Sequence, residues 1–170
     1  MSLSTTPFYV AGQYRPEQSV GHLMNKVLSS ILAQADKQLA PYQLTYVQWL
    51  PLFKLLTHDG ITAAWLARDI AMDPAAMTRS LDRLERKGLI RRERSTHDRR
   101  AVHLHLTDAG KQVAIHVPEV LANVLNGHLQ GFTADEWQHM QSLLQRMLIN
   151  GQAMKQPPSL TAALPCSPRP

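Results

Sequence analysis

The sequence predicts a mainly α-helical protein that carries one small β-hairpin, and three observations lead to this fold class. Between Val20 and Ala35, apolar residues recur at spacings of three and four, as they do on one face of a long helix. Shorter helical segments with polar capping residues follow. From Val102 to Leu106 the apolar spacing changes to two, which is the period of a half-buried strand.

Helix starts are marked by residues whose side chains can accept hydrogen bonds from the first free N–H groups of a helix. They are Thr45, Thr62, Asp73, Thr107 and Thr133. The first and the last of them form capping boxes with Gln48 and Glu136. The corresponding helices are expected over 45–56, over 63–71, from 73 to a stop at Gly88, from 107, and from 133.

Two prolines are expected to disturb these helices. Pro51 removes a hydrogen bond inside the helix that starts at Thr45, so we expect a bend there or a later effective start. Pro118 is expected to interrupt or bend the long helix that starts at Thr107.

Residues 90–106 are expected to form the hairpin. The segment "IRRER" can pair with "VHLHL" through the loop "STHDRRA". In the second strand one face is apolar, and His103 and His105 point to the opposite, solvent face. Three short helices followed by such a hairpin form a winged helix-turn-helix, here flanked by long helices on both sides.

The charge distribution indicates an anionic partner. The chain has 18 Lys and Arg against 13 Asp and Glu, which gives a formal net charge of +5 and a pI of about 9.7. Residues 73–100 hold 9 of the 18 basic side chains but only 5 of the 13 acids. Such self-repulsion is tolerated where a polyanion neutralises it, so nucleic acid is the leading candidate.

The helix that starts after Asp73 is predicted to be the recognition helix. Its apolar residues Met77, Leu81 and Leu84 share one face. The other face carries Ala75, Thr78, Arg79, Asp82, Arg83 and Arg86. Small residues near its start let the backbone approach DNA, and Arg79 and Arg83 can reach guanine edges or phosphates. On this helix alone an ordinary solvated face explains the arginines equally well, and the arginine-rich hairpin favours DNA.

Residues 73–111, "DPAAMTRSLDRLERKGLIRRERSTHDRRAVHLHLTDAGK", resemble the MarR family of transcriptional regulators. The resemblance rests on the "LxRLExKGLI" end of the recognition helix and on the "DxR…VxLTxxG" pattern of the wing. The helical order extends it over residues 17–152. By this resemblance, Thr78, Arg79 and Arg83 enter the major groove and Arg100 enters the minor groove. Asp98 matches an acid that braces the wing by pairing with an arginine such as Arg86 or Arg99. The predicted DNA-binding residues are Ala75, Ala76, Thr78, Arg79, Arg83, Arg86, Asp98, Arg99 and Arg100.

The resemblance also implies a homodimer and an effector. Family members dimerise through the first and the last two helices, and the dimer reads a pseudo-palindromic operator in double-stranded DNA. Many of them bind small anionic aromatic compounds between the dimerisation helices and the DNA-binding lobe. The resemblance therefore implies a repressor that a phenolic or benzoate-like acid releases from its operator.

The predicted effector residues lie on the first two helices. His22, Lys26, Ser29 and Ser30 form a polar stripe on an otherwise apolar helix. Lys26 and Tyr46 are expected to hold a carboxylate, while Trp49 or Phe53 faces a ring. For each of these residues singly an ordinary structural role stays open, because a lysine on such a helix often covers apolar surface with its stem.

Other chemistries are disfavoured. His97, His103 and His105 lack the further ligand that a zinc site needs, and Cys166 stands alone in the chain. No catalytic motif surrounds any Ser, His or Asp, so neither an enzyme nor a cofactor or metal is expected. No apolar run approaches a membrane span, and the start of the chain does not resemble a signal peptide, so a cytoplasmic protein is expected.

The expected organisation is an N-terminal arm over 1–16, one MarR-like domain over 17–152, and a disordered tail over 153–170. Within the domain, the winged helix-turn-helix spans about 45–106, and the dimerisation helices span about 17–39 and 107–152. The alternative function is an effector-independent architectural DNA-binding protein, which would need no polar stripe inside its dimer helices and would bind DNA with little sequence preference.

Overall fold

The computed structural model describes residues 7–94 and 102–154, and it is mainly α-helical with one small sheet, as predicted. The seven α-helices of this part are α1 (Val20–Leu39), α2 (Tyr46–Thr57), α3 (Ala63–Asp69), α4 (Pro74–Arg86), α5 (Asp108–Ala114), α6 (His116–His128) and α7 (Ala134–Ala153). Its strands are β1 (Ile61–Thr62), β2 (Ile90–Arg94) and β3 (Val102–Leu106). The predicted positions His97, Asp98, Arg99, Arg100 and Cys166 lie outside the described residues.

The capping residues begin the helices where the sequence predicts. The Thr62 hydroxyl accepts from the Trp65 N–H at 3.2 Å, and Asp73 Oδ1 accepts from the Ala76 N–H at 2.9 Å. The third helix ends at Asp69 rather than at the predicted Ala71, because Ala71 has a left-handed backbone with φ of 51°.

The two prolines act differently. Helix α2 runs without interruption from Tyr46 to Thr57 through Pro51, so the alternative of a later start was wrong. The helix after Thr107 is interrupted at Ile115, between α5 and α6. This break precedes Pro118 by three residues, because Pro118 lacks the N–H that would bond the Ala114 carbonyl.

The sheet has three strands in the order β1-β3-β2, all antiparallel, where the sequence predicted only a two-stranded hairpin. Ile61 of β1 lies opposite Leu104 of β3, and Ile90 of β2 lies opposite Leu106 of β3. Strand β1 escaped prediction because two residues are too short to show an alternating pattern.

The chain divides into two compact units, one ending at His128 and the other beginning at Leu129. The first unit holds the core, whose fully buried side chains come from all its larger elements: Leu39, Leu52, Leu66, Leu81, Leu104 and Val117. Gly110 lies so close to the Leu89 carbonyl that a Cβ there would be 1.8 Å from its oxygen. Only glycine therefore fits where α5 packs behind the sheet.

In the first unit, α1 exposes Leu23 and Val27 by more than half of their surface. The second unit contains α7, which the Thr133–Glu136 capping box begins as predicted. Hydrogen bonds from the Thr133 N–H and hydroxyl lower the pKa of Glu136. This helix exposes Leu148 and Ile149. No helix among the described residues is both long and apolar enough to cross a membrane.

Candidate nucleic-acid interface

Helix α4 separates its apolar and basic side chains as the sequence predicts. Met77, Leu81 and Leu84 are buried in the core, which fixes the rotation of the helix. We call the opposite side the α4 outer face. Its exposed members are Ala75, Thr78, Arg79, Arg83 and Arg86, and Ala76 at its edge is half-buried. The face therefore carries three arginines that are accessible to a partner.

The N-terminal end of the α4 outer face carries small side chains that project little from the helix. Thr78 donates its hydroxyl to the Pro74 carbonyl at 3.0 Å, so its hydroxyl proton is used within the helix. Ala75 and Ala76 add only methyl groups. A helix surface of this kind can lie close to the floor of a major groove.

The two acids of α4 are bound by an arginine of the neighbouring strand. Arg92 Nη2 lies 2.7 Å from Asp82 Oδ1, and Arg92 Nη1 lies 2.7 Å from Glu85 Oε2. No partner was predicted from the sequence for either acid. The strand arginine was missed because a contact between β2 and α4 leaves no local spacing signal.

The base of the wing is covered by the loop before β1. His103 Nδ1 lies 2.6 Å from the Gly60 carbonyl, and His105 Nδ1 lies 3.0 Å from both Asp59 carboxylate oxygens. Because a carbonyl only accepts, the His103 Nδ1 carries the proton. Both histidines lie on the face opposite to the buried Leu104 and Leu106, as predicted, but they are half-buried rather than fully exposed. The physical reason is that Asp59 and Gly60 of the loop before β1 contact them.

On strand β2, Arg91 forms an ion pair with Glu93 on the face opposite to α4. The hydrogen bond from Arg91, together with its charge, lowers the pKa of Glu93. Among the described residues no group of three or more His, Cys, Asp or Glu side chains is placed to hold a metal ion.

The five predicted effector residues differ in exposure. Lys26 is exposed on α1, and His22, Tyr46 and Phe53 are half-buried. In the described part of the chain, no hydrogen bond joins Lys26 to Tyr46. Trp49 is 2% exposed, and its indole Nε1 donates to Asp36 Oδ1 at 2.8 Å. Trp49 therefore lies in the core and links α2 to α1, and of the two residues predicted to face a ring Phe53 is the more exposed.

A polar cavity of about 310 Å³ lies between α1 and α6. Its walls are Ser30, Gln34, Gln38, Asn123, Val124, Gly127 and His128. Ser30 Oγ lies 3.0 Å from His128 Nε2, and His128 Nδ1 lies 2.7 Å from the Val124 carbonyl. Of these residues, only Ser30 belongs to the polar stripe of α1 that was predicted from the sequence. The α6 residues of the cavity were not predicted, because they lie far from α1 in the chain.

Comparisons with known proteins agree with this architecture. The MarR family model matches residues 44–102. YwhA, an HTH-type transcriptional regulator of Bacillus subtilis, is 29% identical over 115 residues, which are 68% of this chain and 82% of that protein. The crystal structure of the transcriptional regulator PA3341 is 31% identical, covers 79% of this chain and 99% of its own, and has a TM-score of 0.72. A mutant MarR from E. coli in complex with operator DNA is 27% identical, covers 76% of this chain and 93% of its own, and has a TM-score of 0.71.

The short helices, the three-stranded sheet and the basic outer face of α4 define a winged helix-turn-helix DNA-binding protein. The chain belongs to the MarR family of transcriptional regulators. The fold and family are those of regulators and not of enzymes.

Proposed function

We propose that this regulator is a homodimeric repressor that reads a pseudo-palindromic operator and is released from it by a small aromatic acid. The observation that carries the proposal is the α4 outer face, where Arg79, Arg83 and Arg86 are exposed on a helix whose other side is fixed in the core. Its rotation is thereby set, so the arginines present a constant pattern to a groove.

Within this proposal the α4 outer face enters the major groove. Arg79 and Arg83 bind guanine edges or phosphates, and Ala75, Ala76 and Thr78 allow the close approach. Support comes from the E. coli MarR relative, which was crystallised with operator DNA. The wing roles of Asp98, Arg99 and Arg100 stay predictions from the sequence, with Arg100 in the minor groove.

The homodimer is proposed from apolar surface that the monomer leaves exposed. Helix α1 exposes Leu23, Val27 and Leu28 by more than half of their surface, and α7 exposes Leu148 and Ile149 by nearly two thirds. Contiguous apolar faces of this kind mark association surfaces in globular proteins. A twofold dimer also matches a pseudo-palindromic site, because each protomer supplies one recognition helix.

The effector is proposed to bind through Lys26 and Tyr46, with His22 and Phe53 beside them. Lys26 is exposed on α1, and Tyr46 begins α2, which packs against α1. The Trp49–Asp36 hydrogen bond connects the same two helices. A carboxylate bound between α1 and α2 is therefore placed to change the angle between the dimerisation helices and the DNA-binding lobe.

Fluorescence anisotropy with promoter fragments and random duplexes of equal length tests DNA recognition, and sedimentation velocity tests the dimer. We expect preferential binding to one promoter fragment, one dimer per site, and a dimer at micromolar concentration. Equal affinity for promoter and random duplexes would favour an architectural protein over a repressor. A monomer at micromolar concentration would contradict the dimer.

A further inference from the structure

We propose that Arg92 is a positioning residue for DNA binding, which neutralises Asp82 and Glu85 and leaves the arginines of the α4 outer face free for DNA. The proposal rests on the proposed function, because it concerns how the same helix binds DNA. Arg92 lies on strand β2, outside the recognition helix, and no separate role was predicted for it.

The Arg92 guanidinium binds two carboxylates at once. Its two terminal nitrogens bind two different carboxylates on α4, each at 2.7 Å. Asp82 and Glu85 are three residues apart and therefore neighbours on the helix surface. A guanidinium presents donors in a fixed fork, so one arginine can satisfy both acids while a lysine can offer only a compact point charge.

The sheet directs Arg92 to this place. Side chains alternate along a strand, so Arg92 shares its face of β2 with Ile90, which is buried in the core. Its cross-strand partner Leu104 is buried as well. The Arg92 side chain is 30% exposed, less than either acid that it binds. It lies between sheet and helix with both terminal nitrogens turned toward the acids.

Without Arg92 the two acids would oppose DNA binding in two ways. They would place negative charge beside the phosphates that the arginines are to bind. Asp82 is also three residues from Arg79 and four from Arg86, so its carboxylate would be free to pair with them. Arg86 already turns its Nε toward the Asp82 backbone carbonyl, at 3.3 Å. Arg92 pairs with both carboxylates and prevents this competition.

The salt dependence of operator binding separates a positioning role from direct contact. Each phosphate contact contributes about one to the slope of log K against log salt concentration. We expect Arg92→Met to weaken operator binding on the order of tenfold with an unchanged slope, since Arg92 does not touch DNA. A slope reduced by about one would show a phosphate contact and overturn the proposal.

Removing the acids supplies the second readout. Asp82→Asn with Glu85→Gln, added to Arg92→Met, should return operator affinity to within about twofold of the same acid changes alone, because nothing is left to neutralise. A loss that persists in the absence of both acids would also overturn the proposal. Arg91→Met is the matched control, because it removes the same charge from the opposite face of β2 and should cost less affinity than Arg92→Met.

Folding and the proposed function are checked on the same proteins. Urea unfolding shows whether Arg92→Met remains folded, and Arg92→Lys keeps the charge without the fork. We expect Arg92→Lys to recover only part of the lost affinity, whereas full recovery would show that charge alone suffices. Failure of the wild type to prefer any promoter would refute the proposed function, while normal wild-type binding with no effect of Arg92→Met would refute the role of Arg92 alone.

Discussion

The Ser80 hydroxyl on α4 donates to the backbone carbonyl of Val47 on α2, which is the carbonyl that Pro51 leaves without its helical donor. In a regular helix the N–H four residues later would bind this oxygen. Proline has no N–H, so the carbonyl would otherwise be unsatisfied at the contact between the two helices. Ser80 is 2% exposed and replaces the missing donor, which explains how α2 passes through Pro51 without interruption.

Ser80→Ala should therefore lower the free energy of unfolding by about 1–3 kcal/mol, because a partly buried carbonyl loses its donor. Urea unfolding at fixed protein concentration measures the change. The cost should shrink in a Pro51→Ala background, where the amide restored at position 51 can donate to Val47. Equal costs in both backgrounds would show that the two positions are not coupled.

Thr57→Ala is the matched control for this experiment. Its hydroxyl also donates to a backbone carbonyl, that of Lys54 at 3.1 Å, but the residue is exposed. Water can replace that donor, so we expect a change within about 0.5 kcal/mol.

Gly110→Ala should destabilise the protein by about 1–3 kcal/mol or more. The new methyl group would overlap the Leu89 carbonyl and push α5 away from the sheet. Thermal and urea unfolding check this. Gly127→Ala is the control, because a Cβ at Gly127 meets nothing within 4 Å and α6 should gain stability from alanine. Equal effects of the two substitutions would contradict the predicted overlap.

Arg79→Ala and Arg83→Ala should each weaken operator binding, by about 1–3 kcal/mol where the side chain binds guanine with two hydrogen bonds. Binding to random duplex should change less. An arginine that binds only phosphate should instead weaken both and reduce the salt slope by about one. Arg146→Ala removes the same charge from α7, outside the recognition helix, and a loss of operator specificity in this control would argue against an assignment to α4.

Much of the fold could be predicted from local signals. Caps such as Thr62 and Asp73 act on N–H groups within three residues, so their spacing is visible in the sequence. The division of α4 into Leu81 on one side and Arg79 on the other is equally local. This is why α4 was predicted with its correct buried face.

The contacts that escaped prediction join residues distant in the chain. Trp49 or Phe53 was expected to face a bound ring, and the hydrogen bond from the Trp49 indole N–H to Asp36 on another helix was not predicted. Arg92 was counted only as part of a basic run, and its two acids lie seven and ten residues earlier. Such pairings depend on how the sheet and helices pack, and composition and periodicity do not record packing.

Leu23→Glu should weaken the proposed dimer by placing a charge in the exposed apolar stripe of α1. Sedimentation velocity over a concentration series should show the monomer–dimer equilibrium shift toward the monomer, with weaker operator binding as a consequence. Ala33→Glu adds the same charge to α1 outside that stripe and should leave the equilibrium nearly unchanged. A Leu23→Glu protein that remains a dimer at the lowest concentration would place the interface elsewhere.

Lys26→Met and Tyr46→Phe should lose affinity for benzoates and hydroxybenzoates while operator affinity stays unchanged, because neither residue belongs to the α4 outer face. Calorimetry of the wild type with a panel of these acids measures the binding directly. Lys37→Met, which removes another exposed lysine of α1, is the control and should bind the acids as the wild type does.

The acid and the operator must also lower each other's binding affinity by the same factor, because the coupling free energy between two sites is reciprocal. A coupling of about 1–3 kcal/mol corresponds to a 5- to 150-fold change in affinity. The operator should therefore weaken binding of the acid as much as the acid weakens binding of the operator. No heat with any acid of the panel, or undiminished binding in the Lys26→Met/Tyr46→Phe double variant, would contradict the proposed effector site. Acid binding without a matching effect on DNA would show a site that does not regulate the protein.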